Sequence, residues 1–144
     1  MSRSLVRGRV FPVVSFLYVA AIGLQVFFAG LYVFVGSANI ELHKTFAHVF
    51  IVLSVLMFAA AFIGQVDGRA KRLTFGLFGL LVVQGMLVHV GQWFGLWTIS
   101  ALHPVNAMVM AYVSVTLARH ALTMSSAKTD VAAAPARGAM HPAS

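Results

Sequence analysis

Histidine is the residue in this chain best placed to do chemistry. There are six. His141 lies in the C-terminal tail and His120 at the end of the last apolar stretch; neither is given a role. The other four, His43, His48, His89 and His103, fall near the ends of apolar segments. An imidazole is a neutral metal ligand, and ionisable groups inside a membrane are rare and usually face the bundle interior. Each of the four is therefore a candidate site residue, with an interfacial structural histidine as the plain alternative. The chain has no cysteine, so thiolate metal sites, iron–sulfur clusters, covalent haem attachment and cysteine nucleophiles are excluded. Its three acidic residues supply no carboxylate pair. Glu41 beside Lys44 reads as an interfacial ion pair, and no H-x-x-H or H-x-x-x-H spacing occurs.

The elements that must position these histidines follow from composition. Of 144 residues, 60% are hydrophobic and 9% charged, against roughly 45–50% and about 25% in soluble domains. A soluble chain of this size could not bury so much apolar surface. The net charge of +7 does not gather into a basic patch interleaved with aromatics, so nucleic acid is not a partner. Four stretches, at about 11–35, 42–63, 73–90 and 101–118, are long and apolar enough to cross a bilayer as helices. The first is too long for a cleaved signal peptide. The expectation is an all-α integral membrane protein, a four-helix up-down-up-down bundle over residues 1–120, followed by a disordered tail at 121–144. Arg3, Arg7, Arg9, Arg69, Lys71, Arg72, Arg119, Lys128 and Arg137 all fall on one side, leaving only Lys44 on the other. The positive-inside rule then places both termini in the cytoplasm and the chain in the inner membrane, with Trp93 and Trp97 in the outer aromatic belt. Gly23, Gly30, Gly76 and Gly79, with Ala47, Ser54 and Ala61, suggest faces of close helix approach. No convincing internal repeat is visible beyond the shared helix–loop pattern.

Depth and angle narrow the histidines. His43 and His103 lie at matched shallow depth on the second and fourth spans, diagonal neighbours across the core. His43 aligns with Ala47, Ser54 and Ala61, and His103 with Ala107, Met110 and Ser114. His48 sits about 7.5 Å below His43 and roughly 140° around the helix. Two imidazoles so placed can ligate one flat macrocycle from opposite sides, the geometry of a bis-histidine haem b. His89 shares a face with Gly85, which would leave room for a planar ring, and with Gln92, which could bond a ligand histidine. Lys44 and the two tryptophans could receive the haem propionates. Gln25, Gln84 and Asn106 read as isolated interhelical hydrogen-bonding residues.

Three short segments also resemble the heme A synthase family. Glu41-Leu42-His43-Lys44 is similar to that family's Glu-x-x-His-Arg signature, with one residue fewer between acid and histidine and lysine for arginine. The Val82–Val88 run around Gln84 and Gly85 resembles its Gln-and-Gly-containing helix. Ala101-Leu102-His103 looks like the start of its paired helix. In that family each half is a four-helix bundle holding one haem between histidines of its second and fourth helices. The resemblance, over roughly residues 39–120, implies His43 and His103 as those ligands. It implies the fold and the haem; the family's oxidation chemistry uses two bundles in one chain, and this chain has one.

The leading expectation is thus a small membrane haem b protein with His43 and His103 as iron ligands and His48, His89 and Lys44 around the cofactor. It would serve in electron transfer, or as an accessory subunit of a redox complex, rather than as a stand-alone enzyme. Its partners would be the bilayer, a second copy or a larger respiratory complex, and a quinone. Two alternatives stay open: a copper or zinc site built from the same histidines, and a non-catalytic structural or assembly subunit.

Overall fold

In a computed structural model, the structure describes the backbone over residues 3–138 and the side chains over residues 9–126. Five α-helices follow one another: α1 (Arg3–Phe34), α2 (Ile40–Ile63), α3 (Gly68–Phe94), the short α4 (Trp97–Ser100) and α5 (Leu102–Gly138). A 3-10 turn at Ser37–Asn39 leads into α2. No strand occurs among the described residues. The segments Arg9–Phe34, Ser37–Ile63, Gly68–Phe94 and Trp97–Ser126 are each long and apolar enough to cross a membrane, as in a multi-pass membrane protein.

Boundaries differ from hydropathy where local chemistry extends a helix. Asp67 caps α3, its carboxylate accepting from the Ala70 N–H at 2.8 Å, so the helix begins at Gly68 and takes in the basic residues that end the apolar run. The helical backbone of α5 continues to Gly138, past the expected start of a disordered tail at 121. Residues 139–144 of that tail, with His141, lie outside the described residues. The 91–100 connection carries α4, tied back to α3 by the Ser100 hydroxyl, which donates to the Leu87 carbonyl at 3.2 Å.

α1 packs against α2 and α5, and α3 against α5 and α2; α2 and α5 face each other across the axis without close backbone approach. Tyr18, Phe11, Met57, Leu77 and Leu117 fill the core, and dispersion between such well-fitted side chains is what holds helices together in lipid. Phe58 joins α2 to α3 through Phe75 and Phe78, with ring centroids 4.9 and 5.3 Å away. The expected glycine faces are corrected: a Cβ on Gly23, Gly30, Gly76 or Gly79 would meet nothing within 4 Å. Gly23, Gly76 and Gly79 are exposed and Gly30 is half-buried, so none of them marks a close approach. The close approach is at Gly91, where a Cβ would collide with the Ser100 side chain.

The core also has an internal order that hydropathy hides. Buried positions of α1 recur in α3 at a spacing of 59 residues, Ser15 with Thr74 and Tyr18 with Leu77. Those of α2 recur in α5 at a spacing of 60: Phe50 with Met110, Ser54 with Ser114, Met57 with Leu117 and Ala61 with Ala121. Ser15 and Thr74 also make the same kind of bond within their own helices, each hydroxyl donating to the carbonyl four residues earlier. The α1–α2 pair and the α3–α5 pair are two versions of one helical hairpin.

Candidate cofactor site

The two hairpins place equivalent residues opposite one another at one end of the bundle. Gln25 and Gln84, and His43 and His103, occupy matching positions of the repeat. The His43 and His103 ring centroids are 6.2 Å apart, with planes inclined at 66°.

Hydrogen bonding fixes which nitrogen of each ring carries the proton. His43 Nδ1 lies 3.2 Å from the Gln25 carbonyl oxygen. A carbonyl only accepts, so Nδ1 carries the proton and Nε2 presents its lone pair. The Gln25 amide donates to that Nε2 at 3.3 Å and to the His43 carbonyl at 2.9 Å. His103 repeats the pattern: Nδ1 lies 3.4 Å from the Gln84 carbonyl and Nε2 lies 3.2 Å from the Gln84 amide nitrogen. Gln84 is held in turn, because its side-chain oxygen accepts from the Asn106 amide, which also donates to the Leu80 carbonyl at 2.9 Å. Metal-bound histidines usually donate their second ring N–H to a carbonyl or carboxylate in this manner. Gln25, Gln84 and Asn106 do bond between helices, as the sequence suggested, but two of them act on the candidate ligands. Gln92, expected to bond a ligand histidine, borders the cavity instead.

Both rings open into one cavity of about 490 Å³ to which all four spanning helices contribute, a volume within the usual range for small-molecule and cofactor sites. Its walls include every expected site residue: His43, His48, Lys44, His89 and His103. Gly85 also lines it, and a Cβ there would meet nothing within 4 Å. His48 is exposed, with Nδ1 3.2 Å from its own helix's Thr45 carbonyl. His89 is exposed and stacks on Trp93, centroids 5.7 Å apart. Lys44 forms the expected surface pair with Glu41 at 2.9 Å. Among the described residues no three His, Asp or Glu side chains converge as a metal-ion site.

The far end of the bundle carries one feature that the sequence did not signal. His120, given no role above, meets Asp67 at 2.7 Å and so ties the α2–α3 loop to α5. The Asp67 carboxyl is held below its ordinary value, chiefly by the Ala70 N–H and further by His120.

Residues 25–92 match a family of unknown function (DUF6220). That stretch runs from Gln25 through His43 to Gln92 and stops short of His103. No curated protein and no solved structure matches the chain.

Proposed function

We propose that this chain is a small haem b protein of the inner membrane, an up-down-up-down bundle with both termini in the cytoplasm, and that His43 and His103 would hold the haem iron. The observation that carries the reading is the pair of imidazoles, each protonated at Nδ1 against a helix carbonyl and each offering Nε2 to one cavity. The ring centroids stand 6.2 Å apart, a spacing at which both imidazoles could hold one iron. Two nitrogen donors suffice when a macrocycle supplies the remaining ligands, whereas a bare copper or zinc ion asks for three or four protein donors. The donor set therefore favours haem over a metal ion. For iron to bind, the glutamine amides must leave the two Nε2 lone pairs.

Bound haem takes up and releases single electrons at its iron, and the chain's residues set how readily. The Nδ1–H bonds orient both rings and raise their donor strength. The apolar remainder of the cavity excludes water and so weighs on the potential. Lys44 on the cavity wall and Trp93, which stacks on His89, would supply a cation and an amphipathic ring suited to propionates. The resemblance to one half of a heme A synthase agrees with this ligand assignment. Single-electron chemistry at such a site suits electron transfer, or an accessory place in a redox complex.

The test is an absorption spectrum of protein purified in mild detergent from haem-replete cells, oxidised and then dithionite-reduced, with a pyridine haemochrome to count haem. A sharp reduced α-band with close to one haem per chain is expected. A colourless protein would overturn the reading.

A further inference from the structure

The two histidines sit in matching places, but their hydrogen-bond surroundings do not match. On the α3–α5 side every polar atom of the Gln84 amide is used: its nitrogen faces His103 Nε2 and its oxygen accepts from Asn106. On the α1–α2 side the Gln25 side-chain oxygen is buried and has no partner. The repeat explains the difference, because the position equivalent to Asn106 is Phe46, which packs against Phe28 and cannot donate. We propose, building on the haem reading, that His43 is the permanent ligand and His103 the exchangeable one, with Gln84 and Asn106 forming a latch that holds His103 in its released position.

The two glutamines differ in what they lose on moving. Turning Gln84 away from His103 breaks its bond to Nε2 and also its bond to Asn106. Turning Gln25 away from His43 gives up two donor bonds but frees a buried, unpartnered acceptor, whose burial is itself unfavourable. Released His103 is therefore better satisfied by its surroundings than released His43. A small uncharged iron ligand would enter on the His103 side. In that exchange the bond between His103 Nε2 and iron breaks and the bond to the incoming ligand forms. The imidazole leaves neutral, keeps its Nδ1 proton and returns to the Gln84 amide. No electron is transferred.

The probe is carbon monoxide, titrated against the dithionite-reduced, haem-loaded protein and followed by the Soret band. The wild type should bind it. Gln84→Leu removes the competitor for His103 Nε2 and should weaken carbon monoxide binding about tenfold, the usual effect of one hydrogen bond. Asn106→Leu should act in the same direction while keeping Gln84, which guards against a folding defect in the first variant. Gln25→Leu should change the affinity less than either, and His120→Ala, at the far end of the bundle, should leave it unchanged. A haem-loaded wild type that ignores carbon monoxide, or a larger effect from Gln25→Leu than from Gln84→Leu and Asn106→Leu, overturns this inference alone. A protein that takes up no haem overturns the haem reading and this inference together.

Discussion

An imidazole in a membrane can be a ligand or an inert interfacial group, and the difference lies in what each ring nitrogen touches. His43 and His103 each have a carbonyl at Nδ1 and an open cavity beside Nε2; His120 instead meets a carboxylate at the other end of the bundle. On the haem reading, His43→Ala and His103→Ala should each lower haem per chain several-fold, measured by pyridine haemochrome on protein of equal monodispersity. His120→Ala should leave it unchanged. His120 and Asp67 have a different consequence, in stability against pH. Because the Asp67 carboxyl is depressed in the folded chain, it stabilises the fold above its unfolded value, near about 4. That contribution fades as the pH falls from there through the lower folded value. Asp67 is 47% exposed, so solvent screens the effect and it is small. Thermal unfolding in detergent should show Asp67→Asn with a flatter acid-side slope than wild type, and with the two chains converging at the lowest pH.

At the scale of elements, the short helix α4 governs where α5 begins, and hence where His103 stands. It is seated by the close approach of Ser100 to Gly91 and by the turn at Gly95, whose φ of 68° lies in the left-handed region. Gly95→Ala should cost about 1 kcal/mol, the penalty of a Cβ in that conformation. Gly91→Ala should cost more, because the added methyl displaces Ser100, and it should also reduce haem retention by shifting the start of α5. Gly85→Ala is the control: it has open space on the cavity wall, so melting should barely change. All three are read by thermal unfolding. These glycines show what a sequence can and cannot tell. Span length, helix class and the depth of His43 and His103 follow from periodicity and rise per residue alone. Whether Gly91 or Gly23 faces a neighbour depends on the rotation of one helix about its axis relative to another, which composition does not fix. For the same reason Gln25, Gln84 and Asn106 looked isolated: their partners lie on other helices. The signal that could have joined them was the spacing of 59 and 60 residues between the hairpins, faint because even core positions differ in size or polarity, as Phe11 against Ala70 and Tyr18 against Leu77.

Across the whole molecule, that repeat separates what the two hairpins share from what only one face carries. The glutamine–histidine pairs are shared. His48 answers to Met108, His89 to Gly30 and Lys44 to Pro104, so the additional polar residues belong to one side, and that side borders the cavity. A doubled hairpin alone gives no reason for such one-sidedness; a cofactor entering between α2 and α3 does. The charge distribution is also one-sided. The basic residues at the start of α1, at the start of α3 and within α5 lie at the end opposite the cavity, where Lys44 is not. With cytoplasmic termini, the cavity faces outward, and electron exchange would take place near the outer surface. The cysteine-free sequence makes this directly measurable. Ser37→Cys, at the turn before α2, should react with a membrane-impermeant maleimide in intact cells whose inner membrane is accessible. Gly64→Cys, at the opposite end of α2, should react only after the membrane is permeabilised. Labelling in the reverse order would turn the bundle over and move the cavity to the cytoplasmic side, leaving the histidine pair intact but changing which redox partners could reach it.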